Sequence, residues 1–268
     1  MIDSKVQAEL RARYNPDGSP LRRHQLKMLE ILKYVDKVCR ENNIPYWLSS
    51  GTCLGAVRHG GFIPWDDDVD IEMLGNDYDR FVKIMKLRSE NKYIFQTHQV
   101  DSAFIWQYGK LRDRHSIIKE DGIVDRDYKF HGAFIDIFPM DYSPMEKINI
   151  LGEYCIKICR HANKYDNSFF RKIVRNFFYG IFFKFLSPII RYLTPESNYL
   201  HHRFGSIYHK KRNMEDIFPL KDILFEGYPL KIPYNTDNYL KNLFGEYMQL
   251  PDLKSIDGHV TEIRFLND

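Results

Sequence analysis

Hydrophobic residues recur at helical spacing in the first part of the chain. Over residues 21–43, apolar side chains return at every third or fourth position, and arginine, lysine and glutamate occupy the opposite face. This periodicity predicts an amphipathic helix that ends before Pro45. A short apolar run at residues 46–49 predicts a strand. A second helical pattern follows Asn76, whose side chain is a suitable N-cap.

Several later segments have the composition of β-strands. Residues 65–73, WDDDVDIEM, alternate between polar and apolar side chains and predict a strand that has one buried face. Three further runs rich in isoleucine, phenylalanine and tyrosine also predict strands, and they cover residues 93–100, 104–112 and 132–141. The first half of the chain is therefore expected to form a sheet with flanking helices.

The pattern becomes helical after residue 142. Ser143, Pro144 and Glu146 have the spacing of a helix start with a capping box, and helical patterns continue to about residue 212. Strands are expected again within residues 223–232, followed by a helix over residues 236–244 that Gly245 ends. We therefore predict an α/β fold with a mixed-sheet core formed by residues 1–142 and 214–268. Residues 143–213 are predicted to be a helical insertion, and membrane association of this insertion is one interpretation of its sequence.

Composition adds limits to this description. The chain has 268 residues, of which 44% are hydrophobic and 28% charged, as in ordinary globular proteins. A net charge of +3 gives no reason to expect a nucleic-acid partner. The N-terminal residues lack the apolar segment of a secretory signal, and no uninterrupted apolar run reaches the roughly 20 residues of a spanning helix. Together with four scattered cysteines, these features predict a cytoplasmic protein with free thiols.

Residues 167–195 have an unusual composition, with five basic residues, no acidic residue and the sequence FFYGIFFKFL near the middle. One interpretation is peripheral contact with an anionic membrane, at the inner face of the cell membrane, with aromatic side chains among the lipids and basic residues near the phosphates. The other is a buried helix pair that is broken at Pro188, with its basic residues in solvent. Both interpretations stay open at the level of sequence.

Four closely spaced aspartates provide the strongest chemical signal. In a strand, Asp68, Asp70 and Glu72 share one face, while Val69 and Ile71 point to the other. Neighbouring carboxylates repel each other unless a cation lies between them, and their hard oxygen ligands suit Mg²⁺ or Mn²⁺. Asp68 and Asp70 are therefore predicted metal ligands.

Asp66 and Asp67 precede these two aspartates and are candidate substrate-binding residues. They follow Pro64, so the alternative for both is a solvated acidic turn. Asp136 lies within the apolar run FIDIF, where a buried carboxylate needs a compensating partner. It is predicted to be a third metal ligand or the base that accepts the acceptor's proton, and the alternative is a salt bridge to a residue such as Arg112.

Phosphate contacts are expected just upstream of the aspartates. Ser50, Gly51 and Thr52 lie between a predicted strand and a short helix, where glycine permits close approach of a phosphate and hydroxyl groups can donate hydrogen bonds. Arg58, near the end of that helix, and Lys110 are candidates to bind a phosphate oxygen or to offset its charge.

These motifs together resemble the LicD family of phosphocholine transferases. The resemblance is closest in GTCLGAVRHGGFIPWDDDVDIEM, and it extends to LRRHQLKMLEILKYVDKVCRENNIPYWLSSG, GAFIDIFPMD and the later FEGYPLKIPYNTDNYLKNLFGEYMQLP. It implies a nucleotidyltransferase-like core and a divalent metal on Asp68 and Asp70. It also implies CDP-choline as the donor and, as the acceptor, a sugar hydroxyl of a surface glycan or lipid-linked glycan precursor, of the teichoic acid or lipopolysaccharide type.

The expected activity is thus metal-dependent transfer of phosphocholine. A choline headgroup requires an aromatic pocket, because a quaternary ammonium has no N–H to donate, and Trp65, Trp106 and Tyr108 are candidates for it. One alternative is transfer of ribitol phosphate or phosphoethanolamine from a CDP donor. A second alternative, from a different class, is a non-catalytic membrane-associated scaffold.

Overall fold

The computed structural model describes residues 1–88, 92–119, 125–142, 146–253 and 262–266. The helices in these ranges are α1 (Ser4–Tyr14), α2 (Pro20–Glu41), α3 (Ser50–His59), α4 (Gly75–Leu87), α5 (Glu146–Ala162), α6 (Ser168–Phe177), α7 (Lys184–Leu193), α8 (Met214–Ile217) and α9 (Thr236–Phe244). The strands are β1 (Trp47–Leu48), β2 (Asp70–Leu74), β3 (Tyr93–Gln96), β4 (Gly109–Asp113), β5 (Ser116–Lys119), β6 (Phe134–Tyr142), β7 (Tyr199–His202), β8 (Arg212–Asn213), β9 (Lys221–Phe225), β10 (Tyr228–Ile232) and β11 (Glu262–Phe265). The predicted α/β class is confirmed.

Seven strands form a mixed sheet around β6. The order along the sheet is β1-β2-β6-β4-β3, and β7 pairs with the end of β6 and carries β8 on its other edge. Strands β2 and β6 run parallel, whereas the remaining pairs in this sheet are antiparallel. Two small antiparallel pairs, β9 with β10 and β5 with β11, lie outside it. The sheet therefore brings the predicted catalytic strands, β2 and β6, side by side.

The main core forms between α2 and one face of this sheet. Ser19 caps α2 by accepting a hydrogen bond from the Arg22 N–H, and Pro20 occupies the first turn, where its missing N–H costs nothing. The apolar side of α2 and the inward residues of β2 and β6 are fully buried, and they include Met28, Leu32, Val35, Val69, Ile71, Met73, Ile135 and Ile137. Burial of this face leaves the opposite face of β2 and β6 for polar side chains.

Several predicted elements match the structure closely. Helix α2 matches the predicted helix at 21–43 to within two residues at each end, and α9 ends at Gly245, whose φ of 67° suits a residue without a side chain. The predicted strands at 93–100 and 104–112 are shorter, because Asp101 holds a turn between them by accepting hydrogen bonds from Ala103, Gln96 and Lys129.

Two predicted helix starts have different outcomes. Asn76 does not cap α4, which begins one residue earlier at Gly75, and its side-chain oxygen instead accepts a hydrogen bond from Arg191. The prediction that Asn76 is an N-cap was therefore wrong. The capping box predicted at Ser143 and Pro144 lies outside the described residues.

The predicted insertion is helical only in part. Helices occupy it up to Leu193, but β7 pairs with β6 and β8 pairs with β7, so the chain rejoins the main sheet well before residue 213. Leu200 and His202 of β7 are buried against the sheet. The prediction of a helical segment throughout 143–213 was wrong in this last part, while the division into core and insertion stays a prediction.

A continuous helix of 26 residues, Ser168–Leu193, joins α6 and α7 through a π-helical turn at Phe178–Phe183. We call it the long helix. It passes through Pro188 without a break, so the expected interruption there is wrong. By length and composition alone it is long and apolar enough to cross a membrane, which the count of uninterrupted apolar residues had not suggested.

Candidate active site

The predicted catalytic residues meet in one row across the sheet. In the parallel pairing of β2 with β6, Asp70 is opposite Asp136, and in the antiparallel pairing of β6 with β4, Asp136 is opposite Lys110. Residues opposite each other in a ladder project from the same face. Strand register alone therefore places two carboxylates and one ammonium group side by side.

Asp66, Asp67 and Asp68 lie on a loop that leads into β2. The backbone of this loop is held by α2, because the Gln25 side-chain amide donates to the Asp66 carbonyl at 2.9 Å and a ring nitrogen of His24 lies 3.0 Å from the Asp67 carbonyl oxygen. Both α2 side chains are fully buried. Nothing in the helical periodicity of α2 indicates this role, although two polar residues on its buried side were a signal that sequence reasoning overlooked.

Ser50, Gly51 and Thr52 form the first turn of α3, directly beside the acidic loop. A β-carbon on Gly51 would lie 3.0 Å from a carboxylate oxygen of Asp66, so the close approach expected of this glycine is made to Asp66. The Thr52 hydroxyl oxygen accepts a hydrogen bond from the Asp70 N–H at 2.8 Å, and Ser50 has a positive φ of 45°. Thr52 thus positions the catalytic strand, and its contact with phosphate stays a prediction.

The acidic residues carry more negative charge than their surroundings offset. Burial, followed by repulsion from Asp68 and Asp136, raises the pKa of Asp70 well above its usual range. Burial and the charge of Asp68 likewise raise the pKa of Asp66, and Arg58 only partly opposes this. The site is therefore built to gain from an added cation.

The donor set fits Mg²⁺ or Mn²⁺, since Asp68 and Asp70 offer hard oxygen ligands and Mg²⁺ commonly uses one or two carboxylates together with water and phosphate oxygens. Asp136 is predicted to join Asp68 and Asp70 as a third ligand. Within the described residues, no group of three side chains is arranged to hold a metal ion. Asp136 therefore stays a predicted third ligand.

Asp136 has a charged partner in the structure. Its carboxylate is 3.3 Å from the Lys110 ammonium group, which also lies 3.3 Å from the centre of the Phe134 ring. The salt bridge considered as an alternative for Asp136 therefore exists, with Lys110 rather than Arg112. Arg112 donates instead to Gln96 and to the Gly132 carbonyl. Lys110 is correspondingly well placed to add positive charge near a substrate.

Arg58 has a mainly structural environment. Its guanidinium group donates to the carbonyls of Tyr247 and Gln249 at 2.7 and 3.0 Å, and to a ring nitrogen of His59 at 2.9 Å. It is buried, and burial lowers its pKa. These contacts fasten the segment after α9 to α3, so Lys110 is the better placed of the two predicted phosphate-binding cations.

Glu72 does not join the metal site, although it shares the strand face of Asp70. It is fully buried and accepts hydrogen bonds from Trp47, Arg212 and Tyr239 at 2.8, 2.9 and 3.1 Å. Burial alone would raise the pKa of Glu72, but Arg212 and His202 outweigh it and hold that pKa far below its usual range. Glu72 is thus the charged centre of a buried network.

The predicted aromatic candidates separate into two places. Trp65 packs edge-on against Tyr14, at 5.3 Å between ring centres. Trp106 and Tyr108 stack at 5.9 Å, and Tyr108 continues to Phe138 at 4.4 Å, two residues beyond Asp136 on the same strand face. Trp65 therefore does not share a pocket with the other two.

Tyr208 connects this aromatic group to the carboxylates, and sequence reasoning missed it. Its ring lies 5.6 Å from that of Phe138. Burial and the charges of Asp70, Asp136 and Asp68 raise the pKa of its phenol, which places the hydroxyl within their electrostatic reach. It is still 44% exposed, so a ligand can reach its ring. Tyr208 is one of 18 tyrosines and follows β7 in the predicted insertion, and we find no sequence signal that singles it out.

His59 gives the protein an expected sensitivity to acid. Burial, followed by the positive charge of Arg58, lowers the pKa of His59 to about 3 from an ordinary 6.5, and the His59 ring accepts a hydrogen bond from Arg58. Between these two pKa values, His59 is protonated in the unfolded chain but neutral in the folded protein. The free energy of unfolding should therefore decline as the pH falls from 6.5 towards 3. In melting curves between pH 8 and pH 5, His59→Gln, which retains an acceptor but cannot titrate, should lose less stability than the wild type. Equal slopes would contradict this assignment.

Paired strand carboxylates beside a Ser-Gly turn and a short helix are the arrangement expected of a nucleotidyltransferase-like domain. Residues 43–153 match the family model described as LicD/FKTN/FKRP, nucleotidyltransferase domain. The predicted resemblance to the LicD family is therefore confirmed over this part of the chain.

Three similar proteins show how far the likeness extends. The lipopolysaccharide cholinephosphotransferase LicD of Haemophilus influenzae is 26% identical over 255 residues, which cover 86% of this chain and 92% of that protein. The human ribitol 5-phosphate transferase FKRP is 50% identical over 91 residues, or 32% of this chain and 18% of that protein. The mouse ribitol-5-phosphate transferase FKTN is 45% identical over 49 residues, 18% of this chain and 11% of its own.

Proposed function

We propose that this chain is a transferase that moves phosphocholine from CDP-choline to a hydroxyl group of a glycan, as in lipopolysaccharide. The observation that carries the proposal is the likeness to the cholinephosphotransferase LicD, which extends over nearly the whole of both chains. The carboxylate row at Asp70 and Asp136 supplies the chemistry for it. A non-catalytic scaffold would have no use for repelling carboxylates, whose raised pKa values mark an energetic cost.

In the proposed reaction, the acceptor oxygen forms a bond to the phosphorus of phosphocholine, and the bond from that phosphorus to the CMP oxygen breaks. Asp68 and Asp70 would hold Mg²⁺ or Mn²⁺, which neutralises diphosphate charge when bound. Lys110 adds positive charge beside Asp136. The acceptor's proton passes to a carboxylate, for which Asp136 and Asp66 are the candidates.

The rings next to the carboxylates suit a choline headgroup. Phe138, two residues after Asp136, contacts the rings of both Tyr208 and Tyr108, and Tyr108 stacks on Trp106. A quaternary ammonium is attracted to the faces of such rings, and the attraction grows when water is excluded. Phosphoethanolamine would bring N–H donors that this aromatic group does not pair. Ribitol phosphate, the alternative suggested by the ribitol 5-phosphate transferases, rests on likeness over a much shorter part of the chain.

A donor panel tests the headgroup. With Mg²⁺ present, CDP-choline should raise the melting temperature more than CDP-ethanolamine or CDP-ribitol does, because a ligand at 100 times its Kd stabilises by about 2.7 kcal/mol. In Tyr208→Leu the advantage of CDP-choline should shrink, whereas Tyr208→Phe, which keeps the ring, should retain it. Release of CMP in the presence of a glycan acceptor measures turnover for the same panel.

The donor panel tests two questions separately: which headgroup the enzyme transfers, and whether it uses a CDP-linked donor at all. A larger shift with CDP-ribitol would transfer the proposal to ribitol phosphate. Equal increases in melting temperature with all three donors would show that the enzyme recognises only the cytidine nucleotide and not the headgroup. The absence of a shift with every donor would contradict a CDP-linked transferase altogether.

A further inference from the structure

The long helix, Ser168–Leu193, has two unlike faces. One face packs on the protein through Tyr179, Phe183 and Ile190, which belong to a buried cluster with α5. The other face presents nine large apolar side chains that are between 43% and 89% exposed, namely Phe169, Phe170, Ile173, Phe177, Ile181, Phe185, Ile189, Tyr192 and Leu193. Most of them recur every four residues, so they form a stripe along the whole helix. We call it the apolar stripe.

Helix α5 widens this surface. Ile150, Leu151, Tyr154 and Ile158 are 42–59% exposed and recur at helical spacing on α5, which packs against α6. Soluble monomers seldom expose so many large apolar side chains together, and such patches usually mark a surface for another molecule or a membrane. The catalytic chemistry described above does not use any of these side chains.

The charges on the long helix itself are of one sign, although Asp166 and Glu196 are exposed just beyond its two ends. Residues 167–195 contain no acidic residue, and the exposed charged residues on the long helix are Lys172 and Lys184. Arg160 and Lys164, also exposed, lie near the end of α5. A second copy of the chain meeting this surface face to face would bring lysine against lysine. Anionic lipid headgroups would pair with them.

Three of the five basic residues expected to face lipid have other partners. Arg171 and Arg175 are buried and bind Asp127 at 2.7 to 2.9 Å, and Arg191 binds Asp79 at 2.7 Å. The expected role of all five as headgroup contacts was therefore wrong. The same ion pairs argue against a membrane-spanning helix, because withdrawing the long helix from the protein would leave Asp127 without these two guanidinium groups and open the buried cluster.

We propose that the long helix lies in the plane of one leaflet of an anionic membrane, with the apolar stripe among the acyl chains and Lys172 and Lys184 at the headgroups. Such an in-plane helix needs a wide apolar face and flanking cations, and both are present here. The proposal is independent of which headgroup the enzyme transfers. The cytoplasmic location expected from the sequence stays a prediction.

Flotation with vesicles tests this. The wild type should float with vesicles that contain phosphatidylglycerol and bind pure phosphatidylcholine vesicles more weakly. Added salt should weaken binding only in part, because screening acts on the lysines and not on the apolar stripe. The triple variant Phe177→Ser, Ile181→Ser, Phe185→Ser should bind at least about 100-fold less tightly. The matched control replaces three exposed apolar residues elsewhere with serine, at Leu224, Tyr234 and Phe244, and should bind as the wild type does.

A labelled variant keeps the test valid if the triple variant fails to fold. The four native cysteines are buried, so Ile181→Cys adds one accessible thiol for a polarity-sensitive fluorophore. Its emission should shift to the blue with anionic vesicles, and that of a label on Leu224→Cys should not. Absence of wild-type flotation, or an unshifted label at position 181, would overturn the proposal. A wild-type dimer that the triple variant converts to monomers, without vesicle binding, would overturn it in favour of a second copy.

Discussion

Replacing Asp70 with Asn should reduce turnover about 10³-fold while the protein stays folded. Removing one carboxylate ligand forfeits metal stabilisation of the transferring phosphate, and a loss of about 4 kcal/mol corresponds to that factor. Asp68→Asn should have a similar effect. Release of CMP at saturating donor measures the loss, and Asp222→Asn, on the exposed β9–β10 pair, is the matched control that should turn over normally.

Stability gives a second readout for the same variant. The pKa of Asp70 is raised by burial and by Asp68 and Asp136, so its charge at neutral pH destabilises the folded protein in the absence of a cation. Without a divalent metal, Asp70→Asn should therefore melt no lower than the wild type. Addition of Mg²⁺ should raise the melting temperature of the wild type and not that of the variant. Near-normal turnover in both Asp68→Asn and Asp70→Asn would refute the metal assignment.

Glu72→Gln should cost about 3–5 kcal/mol of unfolding free energy, the usual cost of breaking a buried ion pair. The change would leave Arg212, itself only 3% exposed, without its charged partner. Urea unfolding at pH 7 measures the cost, and Glu246→Gln at an exposed site should stay within about 0.5 kcal/mol of the wild type. Arg212→Met combined with Glu72→Gln should be less damaging than the sum of the two single changes, because the two residues stabilise each other.

The pH dependence of this cost has a defined sign. The folded-state pKa of Glu72 is lowered below its ordinary 4.5, so its contribution is present above that pH and is lost as the pH falls further. The stability difference between wild type and Glu72→Gln should therefore shrink below about pH 4.5. A difference that is constant down to pH 3, or smaller than about 1 kcal/mol at pH 7, would show that the charge of Glu72 is not what the network needs.

Local pattern was enough to place Asp70 on the polar face of β2, because strand alternation depends only on neighbours in the chain, whereas Asp68 lies on the loop before that strand. The same holds for α9, whose end at Gly245 needs a single residue in a left-handed conformation. Register between distant strands is different. The pairing of Asp136 with Lys110 arises from the alignment of β6 with β4, which no local pattern specifies.

Glu72 and the long helix are two further cases in which contacts with distant parts of the chain could not be predicted from local sequence. Alternation correctly placed Glu72 on the face of Asp70, but its partners Arg212 and Tyr239 are 140 and 167 residues away in the sequence. In the long helix, the composition shows basic and apolar residues, but it does not show which of them face the protein and which are exposed. Arg171 is buried because Asp127, 44 residues upstream, lies beneath it. Phe183 belongs to the buried cluster, and Phe178 and Phe182 pack against it, so these three rings of the central aromatic run face the protein.

The network around Glu72 also bears on how this domain can be moved between proteins. The family match ends at residue 153, yet the counter-charge of Glu72 comes from Arg212, and the acidic loop is held by Gln25 from before the match begins. A hybrid that grafts residues 43–153 into another transferase would carry an interior negative charge whose counterion stayed behind. A segment that folds after transfer must therefore extend beyond residues 43–153 and include Gln25 and Arg212. To change headgroup specificity, substitution of single side chains such as Tyr208 is the better starting point.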